Sequence, residues 1–508
     1  MCGIVACFGE LRDGDVDRLL RARERMTHRG PDDAGATIET RAALGHRRLS
    51  IIDVEGGRQP LRASGRSRAL VCNGEIYNHR ALRRQLEVRY DFATRSDSEV
   101  ILPLAEADDE SWIADLDGMF AFVLTDGHGL LAARDPLGIK PLYLGEDGDG
   151  RLWFASEIKA LRGLCERVHE FPAGHRYTES GGFERWYRPS WTSPSSAGRA
   201  AHGAVAPALE RAVVKRLMSE VPLGVFLSGG LDSSLIAALA RPHVDHLQSF
   251  SVGLDGAPDL EAAREVARAL GTHHRELRYT ERDLAGALEE VIFHLESYDP
   301  SLIRSALPCF FVSRLAAEHV KVVLTGEGAD EAFAGYRYFA EVSDPEALHR
   351  ESVRLLGGLH HMNLQRVDRM TMAHGLEARV PFLDTGFLDV AMALDPREKL
   401  HRPGRREKWL LRREFEGRLP RSILWREKAE FAQGCGSEAS LVEHAEATVS
   451  DRDLARAAAL FPHDPPATKE ELLYRRIFED LFPDGSAQET VGRWRGAFPP
   501  QQEVAFDA

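Results

Sequence analysis

A stretch rich in Ser, Pro, Gly and Ala divides this sequence into two parts with different patterns. It covers residues 189–203, has no hydrophobic periodicity and is typical of a linker. The chain has 508 residues, which is enough for two or three domains with cores of their own. We therefore expect one domain over residues 2–188, a linker over 189–203 and a second domain over 204–508.

The first part is rich in short apolar, β-prone runs that are separated by turn residues. Strands are predicted for residues 1–8, 48–52 and 69–72, and residues 118–124 and 130–133 predict a hairpin. Helices are predicted for residues 15–25 and 79–88. The pattern favours an α+β fold that is built on antiparallel sheets.

The second part alternates strands and helices. Strands are predicted for residues 224–227, 247–252 and 320–324, and helices for residues 233–240 and 260–270. Alternation of this kind predicts an α/β, doubly wound parallel sheet that binds ligands at the carboxyl ends of its strands. Beyond residue 340 the pattern is mostly helical.

Composition excludes several classes of protein. The formal net charge of −14 argues against a nucleic-acid-binding or membrane-surface protein, and no apolar run is long enough to span a bilayer. The N-terminus has no signal-peptide pattern, so a cytoplasmic enzyme is expected. The scattered cysteines, without a CxxC pair, predict reduced thiols and no structural zinc. They are Cys2, Cys7, Cys72, Cys165, Cys309 and Cys435.

Cys2 directly follows the initiator methionine. Its small side chain predicts removal of Met1, which would leave a thiol and a free α-amine on one residue. The α-amine has a reference pKa of about 7.7–8.0, so it can accept a proton at neutral pH. This is the N-terminal-nucleophile arrangement. The alternative is an ordinary buried thiol in a strand.

Polar groups that could serve such a thiol follow other predicted strands. Asn73 and Gly74 come after the strand over residues 69–72, so a side-chain amide and a backbone N–H could bind one oxyanion. Arg48 is expected to open a strand and pair a carboxylate, and Asp97 could pair an ammonium group. Taken singly, these residues are more often a turn and solvated charges. Together they predict an amino-acid substrate with a reactive amide, which is glutamine.

A glycine-rich loop over residues 228–234 connects a predicted strand with a predicted helix. Gly229 and Gly230 open the backbone so that its N–H groups can surround an anion, and the helix expected to begin at Ser233 adds its positive end. Asp232 could hold Mg²⁺. The loop has neither the lysine of a P-loop nor GxGxxG spacing. A strand–helix turn without a ligand is the alternative.

A second candidate anion site follows the next predicted strand, over residues 324–331. In a parallel sheet both loops open at the same edge. Asp232 and Asp330 could then share magnesium that is bound to one pyrophosphate.

Five motifs occur one after another in the first part. They are MCGIV at residues 1–5, HRGPD at 28–32, GHRRLSI at 45–51, NGEIYN at 73–78 and RDPLG at 134–138. The set resembles the class II glutamine amidotransferase domain, an N-terminal-nucleophile glutaminase fold with αββα layers. The resemblance implies that Cys2 is the nucleophile. It also implies oxyanion donors and glutamine-binding groups at Arg48, Asn73, Gly74, Glu75 and Asp97.

The two phosphate-type loops resemble those of the ATP-pyrophosphatase domain of synthetases that adenylate carboxylates. The resemblance places Glu327 near the reacting carboxylate and Lys428 at the phosphate charge, with Asp232 and Asp330 on magnesium. It further implies an ATP and pyrophosphate site that is made of Leu227, Ser228, Gly229, Gly230, Asp232, Ser233, Ser234, Val252, Thr325 and Gly326.

The whole chain resembles the glutamine-dependent asparagine synthetases. EARVPFLD at residues 377–384 and KEELLYRRIF at 469–478 are typical of that family. The implied reaction turns ATP, aspartate, glutamine and water into AMP, pyrophosphate, asparagine and glutamate, through a β-aspartyl-AMP. Ammonia from Cys2 would cross an internal tunnel. Members often form dimers, so a homodimer is expected.

Three segments depart from the family pattern. The chain has IRSALP at residues 303–308 where IRASTP is usual, and FAQG at 431–434 where FSDG is usual. It has FAGY at 333–336 where FGGY is common. The changes at Ser305, Ala306, Leu307, Ala432 and Gln433 leave open an amidotransferase of the same mechanism that acts on another carboxylic acid. β-Lactam-forming or peptide-cyclising relatives, and a non-catalytic glutamine or nucleotide sensor, fit the motifs less well.

Overall fold

The computed structural model describes residues 2–63, 68–107, 110–193, 198–201, 203–485 and 487–494. Met1, whose removal is expected, lies outside these ranges. So do parts of the predicted linker and the end of the second predicted domain, residues 495–508. Among the described residues, no helix combines the length and the apolar character that crossing a membrane requires.

The first half contains two six-stranded sheets in which every neighbouring pair of strands is antiparallel. The strands are β1 (Cys2–Phe8), β2 (Asp33–Ile38), β3 (Ala42–Arg48), β4 (Leu61–Arg62), β5 (Ala69–Ile76), β6 (Gly118–Thr125), β7 (Leu130–Arg134), β8 (Tyr143–Glu146), β9 (Leu152–Ala155), β10 (Arg167–Glu170), β11 (His175–Thr178) and β12 (Gly182–Arg185). One sheet has the order β10-β8-β9-β1-β3-β2 and the other β12-β11-β7-β6-β5-β4.

The two sheets pack face to face between helices. Ile4 and Leu44 of one sheet meet Val71 and Val123 of the other in a fully buried apolar layer. The helices of this half are α1 (Asp15–Glu24), α2 (His79–Leu86), α3 (Ile101–Leu104) and α4 (Ile158–Leu161). Helix α1 packs on β1 and β3, and the segment containing α2 and α3 covers the second sheet. The predicted αββα arrangement is confirmed.

One predicted strand was wrong. The apolar run at residues 48–52 is not a strand, because β3 ends at Arg48 and the chain then turns. The Arg48 guanidinium donates hydrogen bonds to the carbonyls of Ile52, Asp53 and Val54, and so folds this run around its own side chain. The predicted hairpin is present as β6 and β7.

The second half is built around a five-stranded parallel sheet, as the alternating pattern predicts. Its strands are β13 (Leu223–Phe226), β14 (Gln248–Gly253), β15 (His273–Arg278), β16 (Val322–Leu324) and β17 (Glu377–Arg379), in the order β15-β14-β13-β16-β17. Strands β15 and β17 were not predicted. Strand β15 (HHRELR) is polar, and β17 is only three residues long, so neither has the apolar run that marks a strand.

Helices make up most of the rest of this half, and several begin at capping residues. Thr280 forms a capping box with Asp283, and Asp299 accepts a hydrogen bond from Leu302 N ahead of Pro300. The helices are α5 (Val205–Lys215), α6 (Leu231–Ala240), α7 (Pro258–Leu270), α8 (Glu281–Leu295), α9 (Pro300–Ala317), α10 (Ala329–Ala332), α11 (Pro345–Gly358), α12 (Asn363–Met372), α13 (Thr385–Met392), α14 (Pro396–Lys399), α15 (Trp409–Glu414), α16 (Arg421–Leu424), α17 (Phe431–Gly434), α18 (Ser437–Thr448), α19 (Asp451–Leu454), α20 (Ala457–Leu460) and α21 (Lys469–Leu481).

Buried charges join the two halves. Arg29 Nη1 lies 2.8 Å from Glu157 Oε1 in its own half and 2.9 Å from Asp368 Oδ2 on α12. Arg369 Nη2 lies 2.9 Å from Glu296 Oε2, and Glu157 Oε1 lies 3.2 Å from Arg369 Nη1. All five side chains are buried. The largest apolar cluster also contains residues of both halves, so apolar packing extends across the boundary between them.

Candidate active sites

Cys2 lies at the start of β1, directly opposite Arg48 at the end of β3. Only 7% of the residue is exposed. Its backbone N–H donates to Asn73 Oδ1 at 2.9 Å, and its carbonyl accepts from Arg29 Nε at 3.0 Å. The nucleophile predicted from sequence is therefore held on both sides of its backbone.

Asn73 and Gly74 lie within β5 rather than after it. The strand continues to Ile76, because Asn73 and Gly74 still pair with β6. Gly74 has a φ of +150°, and a Cβ there would lie 2.0 Å from the Met119 carbonyl oxygen. Only glycine fits this position. Asn73 Nδ2 is buried and has no hydrogen-bond partner among the described residues, so it is free to donate to a ligand.

The other predicted glutamine-binding groups are buried near this pair. Asp97 Oδ2 accepts from Ile76 N at 2.6 Å, and Glu75 Oε1 lies 3.4 Å from Arg379 Nη2 of the second half. Glu75 Oε2 is buried without a hydrogen-bond partner in the described part of the chain. Burial raises the pKa of Glu75 well above its usual value, and Glu377 and Asp97 add to the shift.

The surroundings of Cys2 shift the pKa of its thiol. Burial raises its pKa above the ordinary value for cysteine, more than the neighbouring Arg48 lowers it. Because the thiolate is the nucleophilic form, attack requires a base within reach of the sulfur.

A cavity of about 610 Å³ opens in the second half, at the carboxyl ends of β13, β14 and β16. Most residues that were predicted for the synthetase site, whether for ATP, metal or catalysis, line it. They are Leu227, Ser228, Gly230, Asp232, Ser233, Val252, Thr325, Gly326, Glu327, Asp330 and Lys428. Gly229 and Ser234 do not. Gly229 has a φ of +72° and lies against Ala262, while Ser234 is buried in α6.

Two serines hold the conformation of the loop over residues 228–234 through hydrogen bonds. Ser228 Oγ lies 3.0 Å from Ser233 Oγ and accepts a hydrogen bond from Gly230 N at 3.2 Å. Helix α6 begins at Leu231, two residues earlier than predicted, so Asp232 belongs to its first turn. Because the first turn of a helix has free N–H groups, this end of α6 can bind an anion, as the glycine-rich pattern predicts.

Two carboxylates and two lysines meet at the mouth of this loop. Lys408 Nζ contacts Asp232 Oδ2 and lies 2.6 Å from Asp330 Oδ1, which also contacts Lys428 Nζ. Burial alone would raise the pKa of Asp330, but the two lysines hold it well below the usual range. Sequence reasoning missed Lys408. It lies in a charged run, and nothing in that run marks one lysine as buried.

Arg366 is a second cavity residue that sequence reasoning missed. Its guanidinium donates to Glu327 Oε1 at 2.5 Å and to Ser305 Oγ at 3.0 Å. Burial lowers the pKa of Arg366, but Glu327 more than compensates and leaves it raised. Glu327 is therefore tied to α9 through one arginine.

The departures from the family pattern fall in different environments. Ala306 and Leu307 are buried inside α9 and do not line the cavity, whereas Ser305 and Ala432 do. Gln433 is not part of the lining. Ala334 has a φ of +52°, a conformation that favours the glycine usual in the family.

Two family models match the chain, one on each half. The glutamine amidotransferase domain matches residues 1–177, and asparagine synthase matches residues 204–345 and 340–498. The second covers more than half of the sequence.

Curated relatives match nearly the full length. Asparagine synthetase [glutamine-hydrolyzing] 2 of Arabidopsis thaliana is 45% identical over 516 residues, which is 97% of this chain and 89% of the relative. The chain belongs to the glutamine-hydrolysing asparagine synthetase family. The family member of Asparagus officinalis is also 45% identical, over 97% of this chain and 87% of the relative.

A solved structure, the glutamine phosphoribosylpyrophosphate amidotransferase of B. subtilis, shares 18% identity with this asparagine synthetase family member. The match covers 54% of this chain and 65% of that one, with a TM-score of 0.32.

Proposed function

We propose that this protein makes asparagine from aspartate, with ATP as the activating substrate and glutamine as the nitrogen donor. The observation that carries the proposal is the presence of two sites in one molecule whose halves are joined by buried ion pairs. One is a buried N-terminal thiol beside an unpartnered Asn73 amide, and the other is a cavity whose loops suit pyrophosphate.

In the glutaminase step, Cys2 Sγ attacks the side-chain carbonyl carbon of glutamine. After removal of Met1, the α-amine of Cys2 takes the thiol proton and gives it to the leaving ammonia. Asn73 Nδ2 and the N–H of Gly74 donate to the oxyanion that forms. Water then hydrolyses the thioester to glutamate and frees Cys2. Glu75 and Asp97 hold the substrate ammonium, and Arg48 its carboxylate.

In the synthetase step, the β-carboxylate of aspartate attacks the α-phosphorus of ATP, and pyrophosphate leaves. Ammonia from the first site attacks the resulting acyl-AMP, which releases AMP and leaves asparagine. The N–H groups at the start of α6, with Lys408 and Lys428, hold the pyrophosphate charge. Glu327, which Arg366 holds by a hydrogen bond, would act near the reacting carboxylate.

Magnesium fits the residues at the mouth of the first loop. Asp232 Oδ1 is buried and has no hydrogen-bond partner within the described ranges, and carboxylate oxygens are ligands that Mg²⁺ prefers. Asp232 and Asp330 would hold the ion, which would neutralise charge on the leaving pyrophosphate.

Aspartate is the acceptor that the family relationship supports. The departures at Ala306 and Leu307 leave the cavity wall unchanged, because both side chains lie within α9. Ala432 does line the cavity and lacks the hydroxyl that is usual there. A related carboxylic acid is therefore the second candidate.

A cytoplasmic location is supported by six cysteines that are all free. A homodimer is proposed on the family resemblance alone. Size-exclusion chromatography with light scattering tests it, and a monomer mass would refute it.

Product analysis tests the function directly. With ATP, glutamine and aspartate, we expect asparagine, AMP and pyrophosphate in equal amounts. Cys2→Ala should lose glutamine-dependent synthesis and keep synthesis from ammonium salts. Glutamine hydrolysis without asparagine formation would refute aspartate as the acceptor. A Cys2→Ala variant with normal glutaminase activity would refute the nucleophile assignment.

A further inference from the structure

Two histidines and a glutamate meet between the two halves of the molecule. Glu170 is the last residue of β10, and His360 and His361 end the 3-10 turn Leu359–His361 that follows α11. Their ligand-type atoms all lie within 4.8 Å of one another. His360 Nδ1 is 2.7 Å from Glu170 Oε1, and the two imidazole rings are nearly perpendicular.

Glu170 also contacts an arginine of the first half. Arg134 Nη1 lies 2.8 Å from Glu170 Oε1, and no hydrogen bond to Glu170 Oε2 is found among the described residues.

His361 is the residue that an ordinary ion pair leaves unexplained. Glu170, His360 and Arg134 would make an interdomain ion pair without it. Neither ring nitrogen of His361 makes a hydrogen bond within the described part of the chain. A Cβ on Gly492 would lie 2.4 Å from its Cδ2, so the C-terminal segment fixes the ring beside the cluster.

Two imidazoles and one carboxylate form a donor set that suits Zn²⁺, with a fourth position left for water or another ligand. Mg²⁺ prefers oxygen ligands and would bind poorly. We propose that Glu170, His360 and His361 form a binding site for a zinc-type divalent cation, which joins β10 of the first half to the end of α11. His361 also lines the synthetase cavity, so zinc binding is measured directly rather than through asparagine synthesis.

Zinc titration of the full-length protein against a chromophoric chelator tests the proposal. We expect one tight Zn²⁺ site per chain, and no competition from millimolar Mg²⁺. His360→Gln should weaken binding by more than about tenfold, because it removes a direct ligand. His246→Gln is the matched control, since His246 lies beside His273 in a second histidine pair, with ring centroids 5.5 Å apart.

The same titration separates the competing explanations. Equal affinity in the wild type and in His360→Gln would show an ordinary ion pair and overturn the proposal. Loss of the tight site in His246→Gln or in Cys2→Ala would place the ion elsewhere and also overturn it. Zinc should raise the melting temperature of the wild type but not of His360→Gln.

X-ray absorption on the zinc-loaded wild type keeps the test decisive if the variant fails to fold. We expect nitrogen and oxygen ligands with the multiple scattering of two imidazoles. Sulfur in the first coordination shell would refute the site.

Discussion

Replacing Asn73 separates two tasks that its side chain performs. Oδ1 accepts a hydrogen bond from Cys2 N at 2.9 Å, whereas Nδ2 is buried and unpartnered. Asn73→Asp keeps an acceptor for Cys2 N but has no donor for the oxyanion. Asn73→Ala loses both groups. The comparison therefore distinguishes oxyanion stabilisation from simple positioning of the nucleophile.

The expected magnitudes follow from these contacts. One buried donor to an oxyanion contributes about 3–4 kcal/mol, or about 10²–10³-fold in kcat. The hydrogen bond to Cys2 N contributes about 0.5–1.5 kcal/mol more. We expect Asn73→Ala to lose about 10³-fold in glutaminase kcat. Asn73→Asp should lose at least as much, because it also adds a negative charge beside the developing thiolate.

Glutamate formation under saturating glutamine measures the effect. Synthesis from ammonium salts is the internal control and should stay near the wild-type rate in both variants. Asn78→Ala is the matched control, since Asn78 belongs to the same motif but its amide bonds only the backbone of Asp115 and Asp117. If Asn73→Asp retained glutaminase activity within about threefold, the oxyanion assignment would be wrong.

Three further outcomes are expected. Ala334→Gly should raise the free energy of unfolding by about 0.5–1 kcal/mol, because the strain of a left-handed alanine costs more than the conformational entropy that glycine adds to the unfolded chain. A lower urea midpoint for the variant would contradict this. Lys408→Met should slow pyrophosphate release at least about tenfold and spare glutaminase activity. Lys399→Met is the control and should affect neither activity, because Lys399 is a buried lysine whose pKa is shifted by burial alone. Equal effects of the two substitutions would show that Lys408 has no special role. Burial raises the pKa of Glu331 to about 7, so the free energy of unfolding of the wild type falls as the pH rises from about 4.5 through about 7. Glu331→Gln should remove up to about 3 kcal/mol of that fall. Parallel curves of unfolding free energy against pH for the two proteins would refute this prediction.

The sequence predicted the parts of the fold that have a strong local signal. Strand β1 is apolar throughout, and the β6–β7 hairpin has alternating apolar runs around a turn, so both were found. The run at residues 48–52 was misread because its apolar residues Leu49 and Ile51 pack against Val322 and Met372 of the second half instead of belonging to a strand. Strand β15 is polar and short of apolar residues, so hydrophobic pattern alone could not reveal it.

The candidate sites were predictable where a motif carries the chemistry. Cys2, Asn73 and Asp232 belong to such motifs, and the structure brings each next to its expected neighbours. Lys408 and Arg366 belong to none. Their positions depend on tertiary contacts with Asp232 and Glu327 that are more than thirty residues away in sequence.

The buried charges between the halves have a practical consequence for dissecting the molecule. Burying one member of an ion pair without its partner costs about 3–5 kcal/mol. A fragment that ends near residue 193 would keep the Arg29–Glu157 pair but lose Asp368, and the complementary fragment would keep Asp368 without Arg29. Neither isolated half therefore keeps the contacts that it has in the intact protein. Questions about one active site are best asked by point substitution in the intact chain, and chimaeras with relatives should exchange both sides of the interface together.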